Sequence, residues 1–218
     1  VILVVLLGAP GVGKGTQAKL LAEKYNLSIL STGEILRNAL REATELGLKV
    51  KEMMNSGALV PDEIVCDLVE NELKKKTNYK GYILDGFPRT IYQANKLNDM
   101  VATNDQLEDF YVVSLSLSEE EIIKRLSARI ACKNCNQSYN SITNPTKIKG
   151  QCDICGHTEF YVREDDKEEA VKVRLDAYLN QTSPLIKYYQ TYKHYVDVDA
   201  KRDINSIHNE IVRFIANA

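Results

Sequence analysis

The feature that most constrains this chain of 218 residues is the run Gly8-Ala9-Pro10-Gly11-Val12-Gly13-Lys14-Gly15-Thr16. It follows the apolar stretch Val1 to Leu7 and opens a helical pattern through Ala18, Leu21, Ala22 and Tyr25. A strand, a glycine loop and a helix in that order make a phosphate cradle. The glycines let backbone N–H groups turn inward, the helix N-terminus adds partial positive charge, and a lysine supplies a mobile full charge. Gly11, Gly13, Lys14, Gly15 and Thr16 are thus the expected triphosphate ligands. Ser or Thr usually stands directly after the lysine; here Gly15 intervenes and Thr16 is the nearest hydroxyl. A glycine turn that merely packs a helix on a strand does not explain a lysine at this spacing.

Short apolar runs alternate with amphipathic stretches, and Val1 to Leu7, Ser28 to Ser31, Tyr82 to Asp85, Tyr111 to Leu117 and Tyr195 to Val198 are the strand candidates. Such alternation predicts a parallel sheet covered by helices on both faces, because parallel strands need crossovers. Ser31-x-x-Glu34 and Ser118-x-x-Glu121 have capping-box spacing, and Pro61 and Pro184 suit first-turn positions. Helical periodicity stops between Ile130 and Val162, which predicts an inserted subdomain.

A formal net charge of -2 gives no field for a nucleic-acid backbone or an anionic membrane. No stretch approaches the ~20 apolar residues of a membrane helix. The opening run reads as a buried strand rather than a signal peptide, so the five cysteines are expected as thiols in a reducing, cytoplasmic setting. Four of them form Cys132-x-x-Cys135 and Cys152-x-x-Cys155. That spacing suits one tetrahedral, structural Zn²⁺, with two disulfides as the alternative. Gly156 would permit the tight turn after the last ligand, while Tyr139, Phe160 and Tyr161 would pack around it. Cys66 reads as helix packing, and His157, His194 and His208 as structural or surface residues.

Asp85 ends an apolar strand, the expected place for a carboxylate that holds Mg²⁺ through water beside phosphates. Beyond it, Arg89 has a planar fork for a phosphate, and Gln93 an amide that both donates to and accepts from an adenine edge. A surface arginine and a solvated glutamine are the alternative. A GTPase would also need Asn-Lys-x-Asp, whereas Asn95-Lys96-Leu97-Asn98 has an amide in place of the carboxylate.

Together, Gly8 to Thr16, Ser31-Thr32-Gly33 with Arg37, Asp85-Gly86-Phe87-Pro88-Arg89 with Gln93, and the cysteine-bearing insert resemble the adenylate kinases of the long-lid type over essentially the whole chain. The resemblance implies an α/β fold, a P-loop parallel five-stranded sheet flanked by helices. Residues 1-31, 62-127 and 165-218 would form its core, 32-61 an AMP-binding helical insertion, and 128-164 a zinc-ribbon-like lid. It implies reversible phosphoryl transfer from Mg-ATP to AMP giving two ADP, by a cytoplasmic monomer. Thr32, Arg37, Gly86, Arg89 and Gln93 would bind AMP, with Ala58, Leu59 and Val60 lining its base and ribose. Arg125, Arg129, Arg163 and Arg174 would approach the ATP phosphates when the lid shuts, and Arg163 and Arg174 would also serve the AMP side. Lys14, Arg89, Arg129, Arg163 and Arg174 would carry catalysis. Asp165 and Asp166 would mark the lid hinge, or simply start a helix. The loop Asp199 to Ile204, with Arg202, would pack on the ATP adenine. Arg125 and Arg174 could instead pair with Glu121 or Glu168. Two other readings remain: a kinase for another nucleoside monophosphate, and a zinc ribbon that binds nucleic acid.

Overall fold

The computed structural model describes residues 1–75, 78–103 and 109–217. Parts of the expected core segment 62-127 therefore lie outside the described residues. Among the described residues, one five-stranded sheet has the order β2-β3-β1-β4-β8. Its strands are β1 (Ile2–Gly8), β2 (Ser28–Ser31), β3 (Gly81–Asp85), β4 (Asp109–Ser116) and β8 (Tyr195–Asp199). All four pairings are parallel, with Val4 facing both Ile83 and Tyr111 across its two edges.

Why the β1 sequence is a continuous apolar run is visible in its burial. Leu3, Val5 and Leu7 enter one cluster with Val65, Val69, Phe87, Leu97 and Tyr189. Val4 and Leu6 point the other way, into a cluster with Ala18, Leu21, Ile207 and Ile211. Each face is therefore dry, as a parallel sheet with helices on both sides requires. The first face is covered by α4 (Asp62–Leu73), α5 (Ile91–Ala102) and α8 (Pro184–Tyr189), and the second by α1 (Lys14–Tyr25) and α9 (Ile204–Asn217).

Between β2 and α4 the chain forms α2 (Thr32–Arg41) and α3 (Glu45–Ser56). Gly47 lets them cross: a Cβ there would lie 2.2 Å from the Ala39 carbonyl oxygen, so backbone itself excludes any side chain. After α6 (Glu119–Ser127) comes a small antiparallel sheet, order β6-β5-β7, made of β5 (Arg129–Cys132), β6 (Ser138–Asn140) and β7 (Phe160–Tyr161). The chain returns through a short turn at Glu164–Asp166 into α7 (Glu168–Ala177).

Two local expectations are corrected and two are met. The Ser31 box does not form, because the Ser31 hydroxyl donates to Asp85 Oδ2 at 3.4 Å while Glu34 turns to Arg37 and Arg163. Charge pairing outweighs a local cap there. Pro61 stands one residue before α4 rather than in its first turn. Pro184 does open α8, but its ring cannot sit against the carbonyl four residues back, and Tyr178–Thr182 widens into a π turn with Ser183 N–H donating to Tyr178 O at 2.7 Å. The Ser118 cap forms as expected, accepting from the Glu121 amide at 3.5 Å.

Candidate active site

The phosphate loop leaves β1 at its carboxyl end, beside the matching end of β3, where open parallel sheets hold ligands. Gly8, Gly11 and Gly13 all have positive φ, and Gly13 at 114° hands the chain to α1. The Thr16 amide donates to the Gly13 carbonyl at 3.1 Å, while the amides before it in α1 come too early for an intrahelical acceptor and could take an anion. Lys14 donates to the Gly8 and Ala9 carbonyls at 2.7 and 2.9 Å, so its ammonium lies folded over the loop. Burial is the main cause that pushes its pKa down to about 8. Arg89, Arg174 and Arg129 push the same way, and Asp85 opposes them.

One cleft of about 1050 Å³ runs past this loop. Single-ligand pockets span roughly 300–1,000 Å³, so the space suits two nucleotides better than one. Its middle is cationic, lined by Lys14, Arg37, Arg89, Arg129, Arg163 and Arg174. At one end stand Thr32, Met54, the segment Gly57 to Val60, Val65, Gly86 and Gln93; at the other, Asn140, Thr143, Lys201 and Arg202. The nucleotide-site residues expected from the sequence thus line one cavity, from Gly11, Gly13, Gly15 and Thr16 to Arg202, Arg125 and Asp85.

Carboxylates keep these cations in place. Asp166, whose side chain is fully buried, takes Arg129 through two hydrogen bonds and Arg174 at 2.8 Å. Asp165 lies 3.3 Å from Arg174 and 3.6 Å from Arg37. The acid pair therefore holds arginines rather than starting α7, and Arg174 pairs with it, not with Glu168. Glu34 bridges Arg37 at 2.8 Å and Arg163 at 3.0 Å, and Arg163 also donates to Ser138 Oγ at 2.6 Å. Burial alone would raise the Glu34 pKa, but Arg37 and Arg163 outweigh it and hold it below the ordinary value. Burial lowers Arg163 and Arg174 to about 10, and Arg37 and Arg129 add repulsion at Arg163. A polyanion entering here relieves that crowding.

Three expected ligands are engaged with the protein itself. Arg125 pairs with no acid: its guanidinium donates to the Val12 and Ala200 carbonyls at 3.1 and 2.8 Å, joining the phosphate loop to the loop after β8. Arg202 pairs with Glu210 and reaches the Asp199 carbonyl at 3.3 Å. Gln93 is buried, not solvated, and both ends of its amide are engaged: Nε2 donates to Asp62 at 2.8 Å and Oε1 accepts from the Arg89 amide at 2.7 Å. Gly86 at φ 83° brings its carbonyl to Thr32 Oγ1 (3.0 Å) and Arg89 Nε (2.8 Å). The sequence reading missed Glu34, taken for a cap, together with Asp62, Ser138 and Lys19, which donates to Gln137. Apart from Arg37, three residues on from Glu34, their partners lie far along the chain, so no local pattern marks their place in the site.

In the small sheet, the sulfurs of Cys132, Cys135, Cys152 and Cys155 lie within 4.8 Å of one another, with pairs at 3.6 and 3.5 Å. A disulfide needs about 2.05 Å, and these cysteines are free thiols. Four sulfurs about 2.3 Å from one ion would lie about 3.8 Å apart, so the set fits a tetrahedral thiolate metal. Each Cys-x-x-Cys ends in a left-handed residue whose amide donates to the first cysteine's carbonyl: Asn136 (φ 57°) to Cys132 at 3.0 Å, and Gly156 (φ 73°) to Cys152 at 2.9 Å. Tyr139 and Phe160 pack edge to face beneath, with centroids 5.8 Å apart.

A glycine loop on a parallel sheet, a two-ended cleft and a set of half-buried and buried arginines lining it define a P-loop phosphotransferase. The family model described as Adenylate kinase matches residues 6–194. Proteins named adenylate kinase are similar throughout: one from Methanosarcina barkeri is 47% identical, covering 95% of both chains. One from Methanothrix thermoacetophila is 46% identical over 98% of each, and one from Agathobacter rectalis 44% identical over 96% of this chain and 97% of its own. The chain belongs to the adenylate kinase family, and its reaction is phosphoryl transfer between ATP and AMP. Among the described residues, no helix is long and apolar enough to cross a membrane.

Proposed function

We propose that the two nucleotides lie tail to tail in the cleft, ATP over the phosphate loop toward Lys201 and Arg202, and AMP toward Gln93 and the segment 57–60. The observation that carries this reading is the convergence of six cationic side chains, drawn from separate segments, on the middle of one two-ended cavity. Phosphoryl transfer asks little covalent chemistry of a protein, so the rate comes from in-line positioning and from charge on the equatorial oxygens. No nucleophilic side chain is required: an AMP phosphate oxygen attacks the γ-phosphorus, the bond to the ADP oxygen breaks, and the second ADP forms. Lys14 and the α1 amides hold the triphosphate. Thr32, Arg37 and Arg89 orient the acceptor phosphate, while Arg129, Arg163 and Arg174 neutralise the group in flight. Mg²⁺, when bound with ATP, draws charge from the phosphate oxygens, and Asp85 would orient it through water.

In this reading residues 32-61 and 128-164 close on the core at 1-31, 62-127 and 165-218, and the Glu34 pairs to Arg37 and Arg163 belong to a closed arrangement. Closure excludes the water that would otherwise compete for the phosphoryl group. The four cysteines hold structural Zn²⁺, whose closed shell stabilises the insert without joining the chemistry. The enzyme works as a cytoplasmic monomer on nucleotides, not nucleic acid.

An acceptor panel tests it: Mg-ATP with AMP, CMP, UMP or GMP, measuring diphosphate formed. AMP is expected to turn over fastest, and Arg89→Ala to lose about a hundredfold or more in kcat. Faster turnover of another monophosphate would overturn the acceptor assignment.

A further inference from the structure

Gln93 carries an ambiguity that every amide carries. Its two ends have nearly the same shape, and which one donates decides which base edge it can match. Adenine presents an acceptor at N1 beside a donor at the 6-amino group. Hypoxanthine, otherwise the same size and shape, presents a donor at N1 beside an acceptor at O6. A freely turning amide serves both.

This amide is not free to turn. Its Oε1 accepts from the Arg89 backbone N–H at 2.7 Å, and its Nε2 donates to Asp62 Oδ1 at 2.8 Å. A carboxylate only accepts and a peptide N–H only donates, so both contacts demand the same orientation. Asp62 is itself fixed, since its other oxygen accepts from Thr90 Oγ1 at 3.0 Å, and that hydroxyl in turn caps α5 by accepting from the Gln93 backbone N–H at 3.2 Å. The Arg89 end is braced by Thr182, whose hydroxyl donates to the Arg89 carbonyl at 2.9 Å. One Nε2 hydrogen and one Oε1 lone pair stay uncommitted, on a side chain that lines the acceptor end of the cleft.

We infer that Asp62 is a positioning residue for base selection: it holds the Gln93 amide in the orientation that matches a 6-amino purine and mismatches a 6-oxo purine. The inference rests on the reading that Gln93 faces the acceptor base. Asp62 need not touch the nucleotide; it acts through Gln93, and the first turn of α4 carries it to that place.

The test compares AMP with inosine monophosphate as acceptors, taking the ratio of their kcat/KM values in the parent, Asp62→Ala, Asp62→Asn and Gln93→Ala enzymes, each checked by thermal melting. Asp62→Ala removes one of the two pins, and the AMP preference is expected to fall about tenfold. Asp62→Asn retains an oxygen that accepts from Nε2, and its ratio is expected to stay within about twofold of the parent; a merely structural role at the α4–α5 junction would lower both kcat/KM values together and leave the ratio unmoved in either variant. An unchanged ratio in Asp62→Ala, or an equal fall in Asp62→Asn, overturns the inference. Should the parent itself not prefer AMP, or Gln93→Ala leave the preference intact, the assignment of Gln93 to the base fails first, and the two failures are told apart.

Discussion

At the scale of single residues, the site is built from groups that would repel one another without their acids. Lys14 shows the consequence. Burial and three arginines lower its pKa to about 8, so the free enzyme loses this charge as pH rises through that value. Polyphosphate next to the ammonium favours the charged form and lifts the pKa in the complex. The plot of kcat/KM for ATP against pH is therefore expected to fall above about pH 8, while kcat holds to higher pH. Parallel falls would contradict this. Gly86 is a second residue with no substitute: at φ 83°, an added Cβ would lie 2.9 Å from an Arg89 guanidinium nitrogen and 3.2 Å from Thr32 Oγ1. Gly86→Ala should raise KM for AMP about tenfold or more with little change in KM for ATP, read from initial rates. The glycine loop, Asp85, Arg89 and Gln93 were legible in the sequence because short motifs fix their backbone. Glu34 and Asp62 were not, since a carboxylate near a helix start looks the same whether it caps, solvates or reaches across to a distant amide.

At the scale of elements, the five strands of the parallel sheet were legible to within a residue or two, because burial on both faces leaves apolar runs that nothing else explains, whereas β5, β6 and β7 were not read as strands. The Tyr178–Thr182 π turn was hidden: it arises from Pro184 meeting a helix already running, and from the outside a proline simply marks a start. The small sheet β6-β5-β7 has little apolar substance, with Cys132, Tyr139 and Cys152 as its buried cluster. On the proposed reading of the four cysteines as a zinc site, metal would supply much of its stability. Cys132→Ser, or a strong chelator, is expected to lower the melting temperature by several degrees, about 2–4 °C per kcal/mol for a chain this size, while reducing turnover less. Matching melting curves would remove zinc from the account. Elemental analysis should find about one zinc per chain.

At the scale of the whole molecule, Glu34, Asp165 and Asp166 tie the segment after β2, the core and the small sheet together through Arg37, Arg163, Arg129 and Arg174. Ligand should strengthen that closure. On the proposed placement ADP occupies both ends of the cleft; at about a hundred times Kd each site adds about 2.7 kcal/mol, so melting in ADP with Mg²⁺ should rise by about 10–20 °C, roughly twice what one site gives. A shift no larger than inorganic phosphate produces would argue against two nucleotide sites. Arg125 has a different bearing on the same motion. Its guanidinium clasps Val12 and Ala200, both outside the small sheet, and only its carbonyl reaches into it, through Asn140. On the closure proposed above, it would act as a rivet between two ledges of the part that stays still, so the berth proposed for the donor's ring would keep its width whether the cover is raised or lowered.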